Sequence, residues 1–226
     1  MADTTITVQG EYSAWYPAER ATVHVSVSTD GPKRDAVFER AVASAAVIRE
    51  SVEALFDKSA GPVTWWASQS VRVWPERPWN NEGKQLPIVF HAAVDFTVKF
   101  KDFEALARWV ETVSGIDGAV VGSVSWELTE ATRTSATAEV RSRAVKDAVA
   151  KATVFANAIG LRGVTAVAIA DPGMLGDGSS GGPMPAPAMD RMMAARGFGG
   201  GAAPQLELKP DEIAVASVVD ARFVAS

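Results

Sequence analysis

The chain contains no cysteine and only two histidines among its 226 residues. The absence of cysteine excludes disulfides, thiolate metal sites and a cysteine nucleophile. A metal site normally takes three or four ligands, and only His24 and His91 could supply imidazole. We therefore predict no metal, no cofactor and no catalytic residues. Both histidines fall on the polar side of strand-like stretches, where we expect surface or interface positions.

Long apolar runs and a strong excess of one charge are also missing. No run approaches the ~20 apolar residues of a membrane-spanning helix, and the formal net charge is only −5. A mildly acidic chain has no general attraction for nucleic acid. We therefore predict neither a transmembrane segment nor a nucleic-acid partner. Residues 1–5 show no basic or apolar segment of the secretory type, which predicts a protein that is cytoplasmic or from which an export signal has already been removed.

The composition is that of a globular protein, with 47% hydrophobic and 22% charged residues. Apolar and polar residues alternate over residues 21–28 and, most clearly, over residues 88–100, which predicts strands. The second of these is long and is expected to lie centrally in its sheet. Further strands are predicted over residues 6–10, 63–74, 119–128, 164–169 and 213–224. The strand over residues 164–169 is expected to be buried.

Three helices are predicted between these strands. The first ends near residue 56, and the second follows the capping residue Asp102. The third begins between residues 132 and 138, and Gly160 ends it in a left-handed conformation. Its predicted inward face consists of Val145, Ala148, Val149, Ala152, Phe155, Ala156 and Ile159. Because alanine is frequent on that face, we expect this helix to lie closest to the sheet, with Asp147 and Lys151 paired on its exposed side.

This order of elements predicts an α+β fold with a mainly antiparallel sheet and packed helices. Residues 1–226 are interpreted as a single domain. A long projecting hairpin is expected between the strands at 63–74 and 88–100, because prolines, asparagines and a glycine crowd the connection.

Tryptophans and arginines gather in that hairpin: Trp65, Trp66, Arg72, Trp74, Arg77 and Trp79. The tryptophans could belong to the core, stack on a base or sugar, or contact a protein, where Trp and Arg are enriched. We predict that these six residues form an oligomer interface.

Residues 171–204 are rich in glycine, proline and alanine and hold five of the six methionines. We predict a flexible loop that could dock on a partner protein. The run from Gly176 to Gly181 matches the spacing of a phosphate-binding loop, but prolines follow where a helix should begin. Thioether binding of Cu(I) by the methionines is a weaker alternative.

Three stretches resemble the SIMPL-domain family, also known as bacterial periplasmic immunogenic proteins. They are residues 6–25, with ITVQGE and PAERATVHV; residues 144–161, with AVKDA and a closing Gly-Leu; and residues 206–213, LELKPDEI. Asp211 and Glu11 stand where glycines are common in the family. The resemblance implies an α+β domain that assembles into ring-like or channel-like oligomers. Members are mostly exported and linked to oxidative stress, envelope integrity or signalling, without a shared catalytic mechanism.

These observations favour a non-enzymatic, oligomer-forming SIMPL-domain protein with a structural or stress-related role. Two alternatives stay open at this point. One is a module that binds a small ligand through the tryptophan-rich hairpin. The other is a hydrolase whose site the sequence does not reveal.

Overall fold

The computed structural model describes residues 4–79, 85–175 and 208–226, which form three helices and eight strands. In chain order the elements are β1 (Thr4–Tyr16), β2 (Arg20–Gly31), α1 (Arg34–Leu55), β3 (Val63–Ser68), β4 (Arg72–Glu76), β5 (Val89–Phe100), α2 (Phe103–Ser114), β6 (Ala119–Glu127), α3 (Glu130–Ala158), β7 (Val164–Ala170) and β8 (Ile213–Ala225). The strands lie in two sheets with antiparallel pairing. The predicted α+β class is confirmed.

The chain divides into two compact units. The central unit comprises Pro17–Thr129 and Gln205–Ile213, and the terminal unit comprises Met1–Tyr16, Glu130–Pro204 and Ala214–Ser226. The interpretation of residues 1–226 as one domain stays a prediction.

The central unit is built on a five-stranded sheet in the order β3-β5-β2-β6, with β4 also paired to β5. As predicted, β5 lies inside the sheet. Its residues Val94, Phe96, Val98 and Phe100 are buried in one cluster with Ile48 of α1 and Leu106 of α2, so both helices cover the same face. The predicted cap of α2 is confirmed, because the Asp102 carboxylate accepts the backbone N–H groups of Glu104 and Ala105 at 3.0 Å.

The single strand predicted over residues 63–74 is wrong, because the structure divides it into β3 and β4. Ser68 pairs with Phe96 and Arg72 with Ala93, so four steps along this edge match three steps along β5. Gln69 still follows the register of β3, because its backbone N–H donates to the Asp95 carbonyl at 2.9 Å, and the extra residue therefore falls between Gln69 and Arg72. The break is therefore a mismatch of register, which the composition of the strand does not reveal.

The terminal unit is built on a three-stranded sheet in the order β1-β8-β7, with α3 packed against it. The prediction that β1 ends at Gly10 is wrong, because the strand runs on to Tyr16. A Cβ at Gly10 would overlap the carbonyl oxygen of Ala144 and lie 2.7 Å from the Cβ of Ala148. The glycine therefore serves the close approach of α3 and does not end the strand.

The face of α3 that packs on the sheet includes the predicted Ala148, Ala152 and Ala156, but the rest of it differs from the prediction. Its buried residues follow a four-residue step: Ala136, Val140, Ala144, Ala148, Ala152 and Ala156. Val149, Phe155 and Ile159 are exposed, and the helix begins at Glu130, earlier than predicted. A contact as close as the one at Gly10 accepts alanine but has no room for larger side chains.

The predicted pair of Asp147 and Lys151 forms, with 2.8 Å between carboxylate and ammonium, but it faces β1 and not open solvent. The Asp147 carboxylate accepts the backbone N–H of Glu11 at 2.9 Å, and Lys151 donates to the Gln9 carbonyl at 3.1 Å. The bond from Lys151 and the N–H of Glu11 lower the pKa of Asp147, and the same pairing raises the pKa of Lys151. We call this arrangement the β1 clasp.

The expectation that the strand over residues 164–169 is buried is wrong. Strand β7 is the outermost strand of its sheet, and most of its residues are exposed. Gly160 has the predicted left-handed conformation, with φ of 83°. No helix among the described residues is long and apolar enough to cross a membrane. Most of the predicted loop, from residue 176 onward, lies outside the described residues.

Candidate self-association surface

The five-stranded sheet of the central unit has one face that α1 and α2 leave uncovered. On β5 this face carries His91, Asp95, Thr97 and Lys99, which alternate with the buried residues beneath the helices. Polar pairs cross it from strand to strand, such as Lys99 Nζ with Glu127 Oε2 at 2.8 Å. These side chains stand on paired strands, and groups carried by such elements are positioned more precisely than groups on loops.

Two of the predicted interface tryptophans stand on this uncovered face. Trp65 of β3 lies opposite Lys99, and Trp74 of β4 lies opposite His91, along one edge of the sheet. Their partners are eight residues apart on β5, which places the two indoles roughly 26 Å from each other along the strand direction. They therefore mark the two ends of an edge, and a contact that covers both must be extended.

Side chains of β4 are positioned by contacts with side chains of β5. The Trp74 indole stacks on the His91 imidazole, with ring centroids 5.5 Å apart and an angle of 20° between the planes. Glu76 Oε2 lies 3.6 Å from His91 Nε2. Arg72 donates to the Asp95 carboxylate at 2.7 Å. Trp74 is still 40% exposed, so the stack positions the indole without covering it.

Past β4 the described chain continues to Trp79, which is 88% exposed, while Arg77 donates to the Gln85 side chain at 3.0 Å. Trp66 differs from the other predicted interface residues, because it packs against the core of the central unit. We define the aromatic surface as Trp65, Arg72, Trp74, Arg77 and Trp79. Residues 80–84, which would form the predicted projecting tip, lie outside the described residues.

The two histidines do not come together. His24 of β2 faces Thr97, with 3.2 Å between Nδ1 and Oγ1, whereas His91 faces Asp30 across the same strand pair. Six register positions separate them, or about 20 Å. Within residues 4–79, 85–175 and 208–226, no three His, Asp or Glu side chains form a group that could hold a metal ion.

The candidate phosphate-binding loop and most of the methionines considered for Cu(I) lie on residues that the structure does not describe. The run from Gly176 to Gly181 and the methionines beyond it lie there. Just before them, the N–H of Gly173 donates to Asp220 at 2.7 Å, and Arg222 donates to the Leu175 carbonyl at 3.0 Å. The start of the predicted loop is thus attached to β8, while docking of the loop on a partner stays a prediction.

Sequence reasoning placed His91 at a surface or interface position, but it missed Asp95 and the contacts by which both residues position the aromatic surface. The alternation of β5 places His91 and Asp95 on its polar side, and this signal was available. Their pairing with Trp74 and Arg72 depends on register, which is set by the break between β3 and β4. Register across such a break cannot be derived from residue types alone.

A family model supplies the remaining observation. The model described as "SIMPL: Protein of unknown function (DUF541)" matches residues 6–223 of the chain. The chain belongs to the SIMPL family. The SIMPL match runs through both units, and this agrees with the three stretches of sequence that resemble the family. No curated protein matches the chain.

Proposed function

We propose that this SIMPL protein is a non-enzymatic, self-assembling component with a structural or stress-related role, and that its subunits meet through the aromatic surface. The observation that carries the proposal is the exposure of Trp65 and Trp74 at one edge of one sheet, together with that of Trp79 just past the end of β4. Soluble monomers rarely leave large apolar area of this kind uncovered. Tryptophan and arginine, which make up this surface, are the residues that contribute most to protein contacts.

The geometry of the edge favours docking of side chains over addition of a strand. Residues 69–71 interrupt the edge between β3 and β4, and Pro75 and Pro78 lack the N–H groups that a new strand would need. A contact made by side chains has a fixed size and does not propagate along the sheet. Closed symmetric rings are the usual assemblies of identical subunits, and we propose a ring-like homo-oligomer.

The aromatic surface is also arranged before any contact is made. The stack of Trp74 on His91 and the ion pair of Arg72 with Asp95 fix two side chains that are long or large. Side chains that are already ordered lose less conformational entropy on association. This preorganisation supports a role in binding, because an exposed tryptophan without such contacts would be free to move.

The non-enzymatic part of the proposal is supported by the separation of His24 from His91 and by the separate partners of each ring. General acid–base catalysis needs its groups within hydrogen-bond reach of one reacting centre. The test is a screen for hydrolase and transferase turnover with the purified protein. Activity that disappears in a His24→Ala/His91→Ala double variant would show that the protein is an enzyme.

The assembly is tested by the double variant Trp74→Ala/Trp79→Ala, with the native mass measured by size-exclusion chromatography and light scattering. The expected result is a lower native mass with an unchanged circular dichroism spectrum. Trp15→Ala is the matched control, because Trp15 is 65% exposed on a strand of the terminal unit and should leave the mass unchanged.

An unchanged mass in the double variant would show that the aromatic surface is not the contact between subunits. An unfolded double variant would place the two tryptophans in the core. The stress-related role is supported by the family resemblance alone, and its test is the survival of peroxide treatment by cells that carry the double variant in place of the wild type.

A further inference from the structure

The aromatic surface includes a contact whose charge can change near neutral pH. The Trp74 indole stacks on the imidazole of His91, with 5.5 Å between the ring centroids. Histidine is the side chain whose charge ordinarily changes between about pH 5 and pH 8. The His91 side chain is 27% exposed, so protons reach it from solvent. The stack can therefore form with either a neutral or a charged imidazole.

Two carboxylates flank this imidazole, one on each neighbouring strand. On β4, Glu76 Oε2 lies 3.6 Å from His91 Nε2, which is too long for a hydrogen bond but close enough for an ion pair. On β2, Asp30 is the register partner of His91. The two side chains therefore project from the same face of the sheet, with Cβ atoms about 4.5–5.5 Å apart. A charge on His91 would lie between two charges of opposite sign.

Two further ion pairs surround this group. Asp95, four residues along β5, accepts a 2.7 Å bond from Arg72 of β4. Arg40 of α1 donates to the backbone carbonyl of Asp30 at 3.3 Å, and its guanidinium lies 3.6 Å from the Asp117 carboxylate. Both arginines are thus already matched by a carboxylate. A proton on the imidazole therefore acts mainly on the two carboxylates that flank it.

Protonation of His91 would strengthen the contacts that hold β4 on the sheet. A cation against the face of a tryptophan is attracted by the ring, and an ion pair with Glu76 would act on the same strand. Strand β4 is only five residues long and is paired to β5 at the edge of the sheet. The order of so short a strand depends on its side-chain contacts more than that of a long central strand does.

We propose that protonation of His91 strengthens self-association by ordering β4 and its Trp74 before the subunits meet. This inference rests on the proposed assembly through the aromatic surface and describes how that assembly is regulated. Side chains that are ordered beforehand lose less conformational entropy on association. The assembly should therefore be tighter in mildly acidic than in mildly alkaline solution.

A general effect of acid must be separated from the effect of His91. The formal net charge is −5 at pH 7, and acid brings the chain closer to neutrality, which by itself favours association. His24 supplies the matched control, because it is the only other histidine and stands on the same uncovered face. Its ring faces Thr97, with 3.2 Å between Nδ1 and Oγ1. His24→Phe removes an equivalent charge and should keep the wild-type response to pH.

Two substitutions of His91 test the effect of the charge itself. His91→Phe keeps a ring on which Trp74 can stack, but it cannot be protonated. His91→Arg carries a permanent cation that can stack on Trp74 and pair with Glu76. The dissociation constant of the assembly is measured by analytical ultracentrifugation over a range of protein concentrations, from roughly pH 8 to roughly pH 5.5.

The wild-type dissociation constant should fall over this range by roughly three- to tenfold more than that of His91→Phe, as expected for one cation–π contact and one exposed ion pair. His91→Arg should assemble at the alkaline end as tightly as the wild type does at the acidic end. A wild-type protein that responds to pH no more than His91→Phe, or that dissociates in acid, would overturn the inference.

Hydrogen exchange of the β4 amides measures the effect on the strand separately from assembly. It is followed in dilute, dissociated protein and corrected for the intrinsic effect of pH on exchange. Protection of β4 should increase in acid in the wild type and in His24→Phe, but not in His91→Phe. An equal change in all three proteins would also overturn the inference.

These outcomes differ from a failure of the proposed function. The Trp74→Ala/Trp79→Ala variant tests self-association at a single pH, and its result does not depend on how His91 responds. A wild-type protein that is monomeric at every pH would refute the proposed function and the control of assembly with it. A wild-type assembly that is lost in the double variant but is insensitive to His91→Phe would refute this inference alone.

Discussion

Both units of the molecule bury a helix face on a sheet, but the side chains between helix and sheet differ greatly in size. In the central unit, Leu106 and Trp109 of α2 pack against Phe96 and Phe100 of β5. In the terminal unit, alanines of α3 lie against a strand that carries Gly10. The first contact is filled by large side chains, and the second is made by bringing the backbones close together.

The two contacts are therefore sensitive to opposite changes. A contact filled by large side chains loses most when a side chain is shortened, because a cavity is left behind. A contact made by close approach loses most when a side chain is lengthened, because there is no free volume to accept it. The close contact also explains why Phe155 and Ile159 of α3 are exposed, because neither side chain would fit between the helix and the sheet.

The largest expected effect is in the central unit. Phe100 is fully buried, and its ring lies 5.4 Å from that of Trp109. Phe100→Ala should lower the free energy of unfolding by about 3–5 kcal/mol, as expected for a large buried aromatic residue. Chemical denaturation provides the measurement, with Phe155→Ala as the exposed control. A loss as small as that of the control would mean that the sheet closes over the cavity.

A smaller effect of opposite origin is expected in the terminal unit. Ala152 is fully buried on α3, whereas Ala150, on the same helix, is exposed. Ala152→Leu should lower the free energy of unfolding by ~1–3 kcal/mol through overpacking, while Ala150→Leu should be nearly neutral. Equal stability of the two variants would contradict the close helix–sheet contact and would remove the difference between the units.

The central unit could be predicted largely from its sequence. Strands β2 and β5 bury one face each, so apolar and polar residues alternate along them and the period of two is clear. Helix α2 has both a capping residue and an apolar face. In each case the signal is local, because the size and spacing of neighbouring residues report directly on burial.

The terminal unit could be predicted less well, for a physical reason. The buried face of α3 is selected by a glycine more than a hundred residues earlier in the chain, which periodicity within the helix cannot report. Large apolar residues such as Phe155 dominate the periodic signal although they are exposed. The position of β7 depends in the same way on strand order, because an apolar strand can be central or outermost with the same sequence.

The smallest expected effect concerns the β1 clasp, which adds polar contacts where the apolar ones are small. Lys151 and the Glu11 N–H lower the pKa of Asp147 below its ordinary value of 3.8. The folded protein therefore binds fewer protons than the unfolded chain in acid. The contribution of Asp147 to stability is complete above 3.8 and is lost as the pH falls through the lowered pKa.

At high pH, the same contact depends on the protonation of Lys151. Its pKa is raised above 10.5 by the bond to Asp147, so its contribution is complete below 10.5 and is lost as the pH rises through the raised pKa. Asp147→Asn keeps an acceptor for the Glu11 N–H but carries no charge. In acid, the free energy of unfolding of the Asp147→Asn variant should therefore depend less on pH than that of the wild type. Asp35→Asn is the control, because Asp35 is an exposed carboxylate on α1.

The measurement is the denaturation midpoint followed from neutral pH down to roughly pH 3, where an ordinary carboxylate is mostly protonated. Acid dependence will persist in the variant, because Asp57 of the central unit accepts the N–H groups of Ala60 and Ser59, which lower its pKa as well. The denaturation midpoint of the variant should thus still fall with pH in acid, but less steeply than that of the wild type. If the midpoint falls equally steeply in wild type and variant, the β1 clasp does not hold α3 against β1. The ion pair of Asp147 with Lys151 would then stabilise the fold no more than other surface ion pairs do.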